Sequence, residues 1–323
     1  MSVHDVRFRA MGTRMRVAAE GASAALEHRV RAARTELEHT DQQLTRFGAG
    51  SALSQLNASP SETVEAGPLL RDHVRAALWA AQRSGGMVDP TLLDAIEAAG
   101  YRGSLADRQR PDLTDALGSA PERRRASARE DAAWRTIRVD DRAGTISRPV
   151  GVHIDLGGTA KGHAADRALA HLRGARNALV DCGGDLALGG DAGRPHAVIV
   201  EHPTTREAVA TLRVARGGVA TSGITARAWQ RGDGTWAHHL LDPATGEPCW
   251  SGLLSATAVG TSALQAETLA KTAFLRGPEG ARRLLRRRGG VIVHEDGDVE
   301  VIAAGEHTMR VRRQALDRLR IQG

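Results

Sequence analysis

Apolar positions alternate at the start of the chain, with Val6 and Phe8, then Met11, Met15 and Val17, around a glycine at Gly12. That period of two predicts a strand, a turn and a second strand. From residue 22 to 46 the spacing changes: Ala25, Leu26, Val30, Ala33, Leu37 and Leu44 recur at helical intervals and predict an amphipathic helix. A second helix is expected over Pro68–Ser84, opened by its proline and closed by Gly85 and Gly86. Between them SALSQLN, Ser51 to Asn57, reads as a turn or a helical stub. Further strands are expected at 137–139, 152–156, 178–182, 196–201, 208–214, 254–260, 290–294 and 298–302, and helices at 160–172, 262–276 and 278–287. Residues 309–321 suit a basic, solvated helix. Strands and helices mix without regular βαβ alternation, and several strand pairs are close enough for hairpins. The expected class is therefore α+β, with mixed, largely antiparallel sheets and packed helices. Residues 102–133 are polar, Arg-rich and nearly free of large apolar side chains. They are expected as a surface excursion inside one domain spanning 1–323.

Composition narrows the class further. With 323 residues, 41% apolar and 25% charged, the chain can bury a sizeable core and is not compositionally disordered. No run of 18 uncharged apolar residues exists, and MSVHDVRFRA carries charges where a signal peptide needs apolar residues, so a cytoplasmic protein with no membrane span is expected. Two cysteines, Cys182 and Cys249, exclude a disulfide scaffold and a four-cysteine zinc site. Of 44 Lys plus Arg, only Lys161 and Lys271 are lysine. Arginines are spread along the whole chain and only 3% of residues are aromatic, which argues against a nucleic-acid partner despite the basic balance. In so strongly Arg-biased a chain, a surviving lysine either marks a place where a compact ammonium is wanted and a planar guanidinium is not, or stands where it does by chance.

Five stretches carry the chemistry. DLGGTAKG, Asp155 to Gly162, stands at a strand-to-helix junction: glycines permit close backbone approach, the helix start offers N–H groups to phosphate, and Lys161 adds a point charge. It is neither a Walker loop nor a dinucleotide fingerprint, and a bare Gly-Gly at such a place is also an ordinary capping turn. VDCGGDLALGG (180–190) and ATSGITAR (220–227) read as glycine and polar turns. In HHLLDPATGEP (238–248), His239 is a proton carrier, a phosphate contact or a structural histidine. On the helix QAETLAKTAF, Glu267 and Lys271 are four apart, the spacing of an ordinary ion pair.

In this order, together with MGT at Met11, the RF…SALSQLN segment from Arg46 and VDPT from Val88, these stretches resemble the ApbE family of FAD:protein FMN transferases over most of the chain. The resemblance implies an ApbE-like, T-fold-related architecture. It also implies FAD as the flavin donor and transfer of FMN, through a phosphoester bond, to a Thr or Ser hydroxyl of an acceptor flavoprotein with release of AMP. Carried over by position, the flavin-site residues are Met11, Phe47, Met87, Val88, Asp89, Asp155, Gly157, Gly158, Lys161, Thr221, Ser222, His239 and Leu241. Either His239 or Asp155 would take the hydroxyl proton. A flavin carrier without transfer activity, or an FAD pyrophosphatase, are the competing readings.

One motif departs from the family. The usual metal helix has Asp and, four residues on, Thr, which bind Mg²⁺ with a backbone carbonyl; here the positions are Glu267 and Lys271. An ammonium cannot ligate a cation. Either Lys271 points into the site, pairs with Glu267 and takes over the metal's charge as part of the catalytic set, or it turns away and a shifted Mg²⁺ rests on Glu267 and the carbonyl of Ala160.

Overall fold

A computed structural model describes residues 2–22, 25–103, 113–225 and 227–304, and the backbone of 308–311. Among these residues nine strands form one sheet: β1 (Ser2–Ala10), β2 (Thr13–Gly21), β3 (Asn177–Cys182), β4 (Leu186–Gly189), β5 (Gly217–Gly223), β6 (Leu253–Gly260), β7 (Gly290–His294), β8 (Val299–Ile302) and β9 (Thr308–Val311). Each pairs antiparallel with the next in chain order. The first hairpin closes over Met11 and Gly12, both at positive φ (49° and 68°), the backbone a two-residue turn requires. Along β2 the alternation places Met15, Val17 and Ala19 in the core.

Five helices supply the second layer and part of a third: α1 (Leu26–Leu44), α2 (Pro68–Ser84), α3 (Ala160–His171), α4 (Ala263–Leu275) and α5 (Gly277–Leu285). Alanine dominates where α3 and α4 meet the sheet, with Ala164, Ala165, Ala168, Ala266, Ala270 and Ala273 all fully buried, so helix and sheet approach closely. The 196–201/208–214 hairpin covers the sheet's other face, where Val198, Leu212 and Val214 pack with Leu188 and Val219. The SALSQLN segment folds as a seven-residue helix, Ala52–Ala58. Its last carbonyls accept from the buried guanidinium of Arg148, at 2.6 Å from Leu56 O and 2.9 Å from Ser59 O.

Three expectations change and one is refined. Residues 152–156 are not a strand: the Asn57 side chain takes the place of a strand neighbour, donating to Ile154 O and accepting from Ile154 N, each at 2.8 Å. Residues 220–223, read as a turn, end the central strand β5. The described part of the 102–133 excursion lies at the surface as expected, but it is pinned to the core at four points. Leu113, Ala116, Ala126 and Ala132 are buried, and Arg124 N and Ala126 N donate to Trp250 O and Leu275 O. Small alanines there bury without a hydrophobic pattern to announce them. Residues 309–311 form strand β9, and the rest of the expected C-terminal helix lies outside the described residues. No helix among the described residues is long and apolar enough to cross a membrane, and both cysteines are free and buried.

The far end of the sheet is tied to α5 by one buried carboxylate. Arg282 donates twice to Glu300, each bond 2.7 Å, and the His294 ring lies 2.8 Å from the same carboxylate. Those Arg282 bonds, outweighing burial, hold the Glu300 carboxyl down to about 2 from 4.5. A depressed acid stabilises the fold above its unfolded pKa and loses that contribution as pH falls through the folded value. Urea unfolding of Glu300→Gln is expected to show a loss of about 1–3 kcal/mol at neutral pH, with the gap to wild type closing between pH 4.5 and about 2. A gap of constant size over that range would show the contribution not to be ionic.

Candidate active site

Antiparallel order collects the site. Strands β1, β3 and β5 run the same way, so the segments leaving their C-terminal ends, Met11–Gly12, Gly183–Asp185 and 224–225, share one end of the sheet. The MGT and CGGD turns touch: a side chain on Gly183 would run into Thr13. The start of α3 reaches the same end, because Lys161 pairs with Asp185.

There α3 and α4 cross antiparallel in steps of one helical turn. Asp166 accepts from Ala263 N (2.7 Å) and Leu264 N (2.9 Å), capping α4; one turn earlier, Gly162 N donates to Glu267 Oε2 at 2.9 Å; one turn earlier again, Lys271 Nζ donates to Gly158 O at 2.8 Å. Glycine is required at 162, since a Cβ there would sit 2.7 Å from Ala263 O and 2.9 Å from Glu267 Oε2. Glu267 is 2% exposed, and its second oxygen, Oε1, faces both lysines of the chain, Lys271 at 3.5 Å and Lys161 at 3.7 Å. Burial pushes the Lys161 ammonium below its ordinary pKa; Glu267 opposes this and the charges of Arg227 and Lys271 add to it.

His239 belongs to the same electrostatic neighbourhood. Burial lowers its pKa well below 6.5, and Arg227 and Lys271 push the same way. Its Nδ1 is buried with no partner among the described residues, and its backbone N–H donates to Arg227 O at 3.3 Å. His238 is a core residue held neutral by burial, with its pKa down to about 3 and its ring edge-on to Trp250.

Beside the glycine turn stands an aromatic and cationic stack. The Arg46 guanidinium lies 4.5 Å from the Phe47 ring centroid and 4.7 Å from that of Tyr101, and Tyr101 stacks on Trp229 at 5.3 Å. Arg46 joins this stack to the turn, with Nε 3.8 Å from Asp155 Oδ1. Leu241 packs in the same cluster as Tyr101 and Trp229. Phe47 is 44% exposed, a large apolar ring left open to solvent beside a cation. The VDPT loop closes the other flank. Pro90 O accepts from Asp155 N at 2.8 Å, and Val88 touches Gly158. Asp89 Oδ1 accepts from Thr91 while Oδ2 is buried without a partner, and burial raises this carboxyl's pKa.

The model of the ApbE family matches residues 11–294. The chain belongs to the ApbE family. The FAD:protein FMN transferase of Salmonella typhimurium is 30% identical over 297 residues, covering 86% of this chain and 80% of that protein. The Escherichia coli K12 protein of the same name is 27% identical over 304 residues, covering 89% and 83%. Among solved structures, the ApbE protein of Thermotoga maritima superposes with a TM-score of 0.75 at 25% identity over 98% of this chain and 99% of its own. The apo form of the Pseudomonas stutzeri flavinyl transferase ApbE gives 0.71 at 25% identity, covering 100% and 98%. The α+β class and the ApbE architecture expected from the sequence agree with these neighbours.

Within this ApbE fold, the expected site residues mostly converge. Asp155, Gly157, Gly158, Lys161, Val88, Asp89, His239, Glu267 and Lys271 lie about the start of α3, and Phe47 and Leu241 lie in the adjoining stack. Met87 is buried, and Met11 packs into the cluster that holds Leu156 and Ala160. Thr221 does not face α4. It shares a strand face with Val219, which packs beneath the 196–214 hairpin, and it pairs with Thr257 Oγ1 at 2.9 Å; Ser222, one residue on, shares the α4-facing side with Ala220. The carbonyl brought to Lys271 is that of Gly158, not Ala160. Arg46, Tyr101, Asp185, Arg227 and Trp229 were not singled out from the sequence; the signal for Tyr101 was that it is the chain's one tyrosine.

The oxygens that a hard divalent cation would use here already have nitrogen partners. Glu267 Oε2 takes the Gly162 N–H, Glu267 Oε1 faces two ammonium groups, and Gly158 O accepts from Lys271. Among the described residues no group of three or more His, Cys, Asp or Glu is gathered to hold a metal. As arranged, the residues do not fit Mg²⁺.

Because His239 is held neutral by burial and two cations, its imidazole resonances are expected to stay put in an NMR titration between about pH 5 and 8. A midpoint near the unperturbed value of about 6.5 would show that the ring is solvated and far from Arg227 and Lys271.

Proposed function

We propose that this chain transfers FMN from FAD to a Thr or Ser hydroxyl of an acceptor flavoprotein. The observation that carries the reading is the convergence of the chain's two lysines on Glu267 at the start of α3, joined through Arg46 to the open aromatic stack. A charged diphosphate and a flat flavin ring need these two environments side by side. The names of the relatives point the same way: FAD:protein FMN transferase in Salmonella typhimurium and Escherichia coli.

In the reaction the acceptor hydroxyl oxygen bonds to the FMN-side phosphorus of FAD, the bond from that phosphorus to the bridging oxygen breaks, AMP leaves with the bridging oxygen, and the hydroxyl proton passes to a base. Such transfers depend chiefly on positioning and on neutralising charge. We assign the diphosphate to the turn Gly157–Gly158 and to Lys161, and the ring system to Phe47, Leu241 and the Met11 and Met87–Asp89 segments. Between the two candidate bases, His239 is favoured. It is neutral and has an unpartnered ring nitrogen, whereas Asp155 is engaged by Arg46 and the Gly157 N–H. Ser222 remains in the set on the α4 side of β5; Thr221 is assigned no part.

Incubated with FAD and acceptor flavoproteins of its own cell, the protein is expected to give flavin fluorescence that survives denaturation, with AMP released in equal amount. Lys161→Ala is expected to slow transfer about a hundredfold or more. FAD recovered intact would make the chain a carrier, and free FMN with AMP would make it a pyrophosphatase.

A further inference from the structure

Lys271 occupies the place between Glu267 and the glycine turn where a cation is wanted, and it satisfies both sides with one ammonium. Its side chain is 13% exposed, so the charge is fixed between two helices and does not sweep through solvent. The local balance is cationic: Lys161, Lys271, Arg227 and Arg46 stand against Glu267, Asp185 and Asp155, and His239 is held neutral by burial with Arg227 and Lys271. An anion with two phosphates is attracted to such an excess, and a divalent cation is repelled by it. A divalent cation would also have to displace the ammonium before reaching Gly158 O or Glu267 Oε1.

We propose that Lys271 is a built-in replacement for a divalent cation, so that the chain binds the diphosphate of FAD without Mg²⁺. The proposal rests on the flavin reading of the site. It assigns Lys271 to the binding machinery and predicts a protein whose affinity for FAD is indifferent to chelators.

The test is a flavin-fluorescence titration of the whole chain with FAD, in EDTA and in millimolar MgCl₂, paired with calorimetric titration of MgCl₂ into the protein–FAD mixture. For wild type, equal affinity within about twofold and no saturable Mg²⁺ heat are expected. For Lys271→Thr, which removes the ammonium and leaves a hydroxyl beside Glu267, affinity in EDTA is expected to fall about tenfold or more, with Mg²⁺ restoring it and giving a saturable heat. Lys271→Met keeps the unbranched stem and loses only the charge; it is expected to show the same loss in EDTA while melting within a few degrees of wild type, which separates charge from folding. Wild-type affinity that rises about tenfold with Mg²⁺, or a Lys271→Met that binds FAD in EDTA as tightly as wild type, overturns the assignment of Lys271. Wild type that binds no FAD in either buffer overturns the flavin reading as well, so the two failures are distinguishable.

Discussion

The site is organised by one buried carboxylate. Glu267 projects from α4 into the first turn of α3, where burial makes an uncompensated charge costly, and its two oxygens must be satisfied from whatever lies within reach. Gly162 can offer its backbone N–H only because it has no side chain, and that absence also sets how closely the two helices cross. The remaining oxygen is compensated by the two lysines, one from each helix. Helix crossing, glycine turn and charge are therefore one arrangement. Moving α4 by a turn would bury a carboxylate without partners and strip Lys271 of both its acceptors, while Lys161 would keep Asp185.

Around that contact, topology does what local sequence cannot. MGT, CGGD and the segment after TSG are far apart in the chain, yet each leaves an odd-numbered strand of a sheet built in strict chain order, so all three arrive at the same end. The Asn57 and Arg148 contacts serve the same end from the other side. Asn57 holds the extended residues before DLGGTAKG by an imitation of strand pairing, and Arg148 caps the helix that carries Asn57. A buried arginine among carbonyls supplies charge-assisted bonds where the helix's own last carbonyls have no partner.

Much of this was legible because periodicity and glycine punctuation are local. The first hairpin, α1, α2, α3 and the strand pairs of the C-terminal half follow from alternation and helical spacing alone. What escaped depends on partners distant in sequence. Val152 to Leu156 has the composition of a strand, but its backbone is satisfied by an asparagine side chain nearly a hundred residues earlier. The segment after Leu113 has few large apolar residues, and buried alanines with backbone bonds from Arg124 and Ala126 to Trp250 and Leu275 anchor it nonetheless. Thr221 sits in a motif whose neighbours reach α4, but strand alternation turns its own side chain to the opposite face. The Arg46, Phe47, Tyr101 and Trp229 stack draws on three separate regions and has no sequence spacing to reveal it.

The strong preference for arginine makes the two lysines intelligible in physical terms. A guanidinium is planar and presents its donors as a fork, which suits a surface carboxylate, as Arg16 shows on Asp5. At the α3–α4 crossing the acceptors are a single backbone carbonyl and the edge of a carboxylate, approached from different directions within a space lined by Val88 and Gly158. A compact ammonium with three donors can divide them between such acceptors, and a rigid fork cannot do so without pushing the helices apart. Lys161, from the other helix, likewise lies between two separate acceptors, here the carboxylates of Asp185 and Glu267. The two positions that kept lysine are thus the two where shape, and not charge alone, decides the residue.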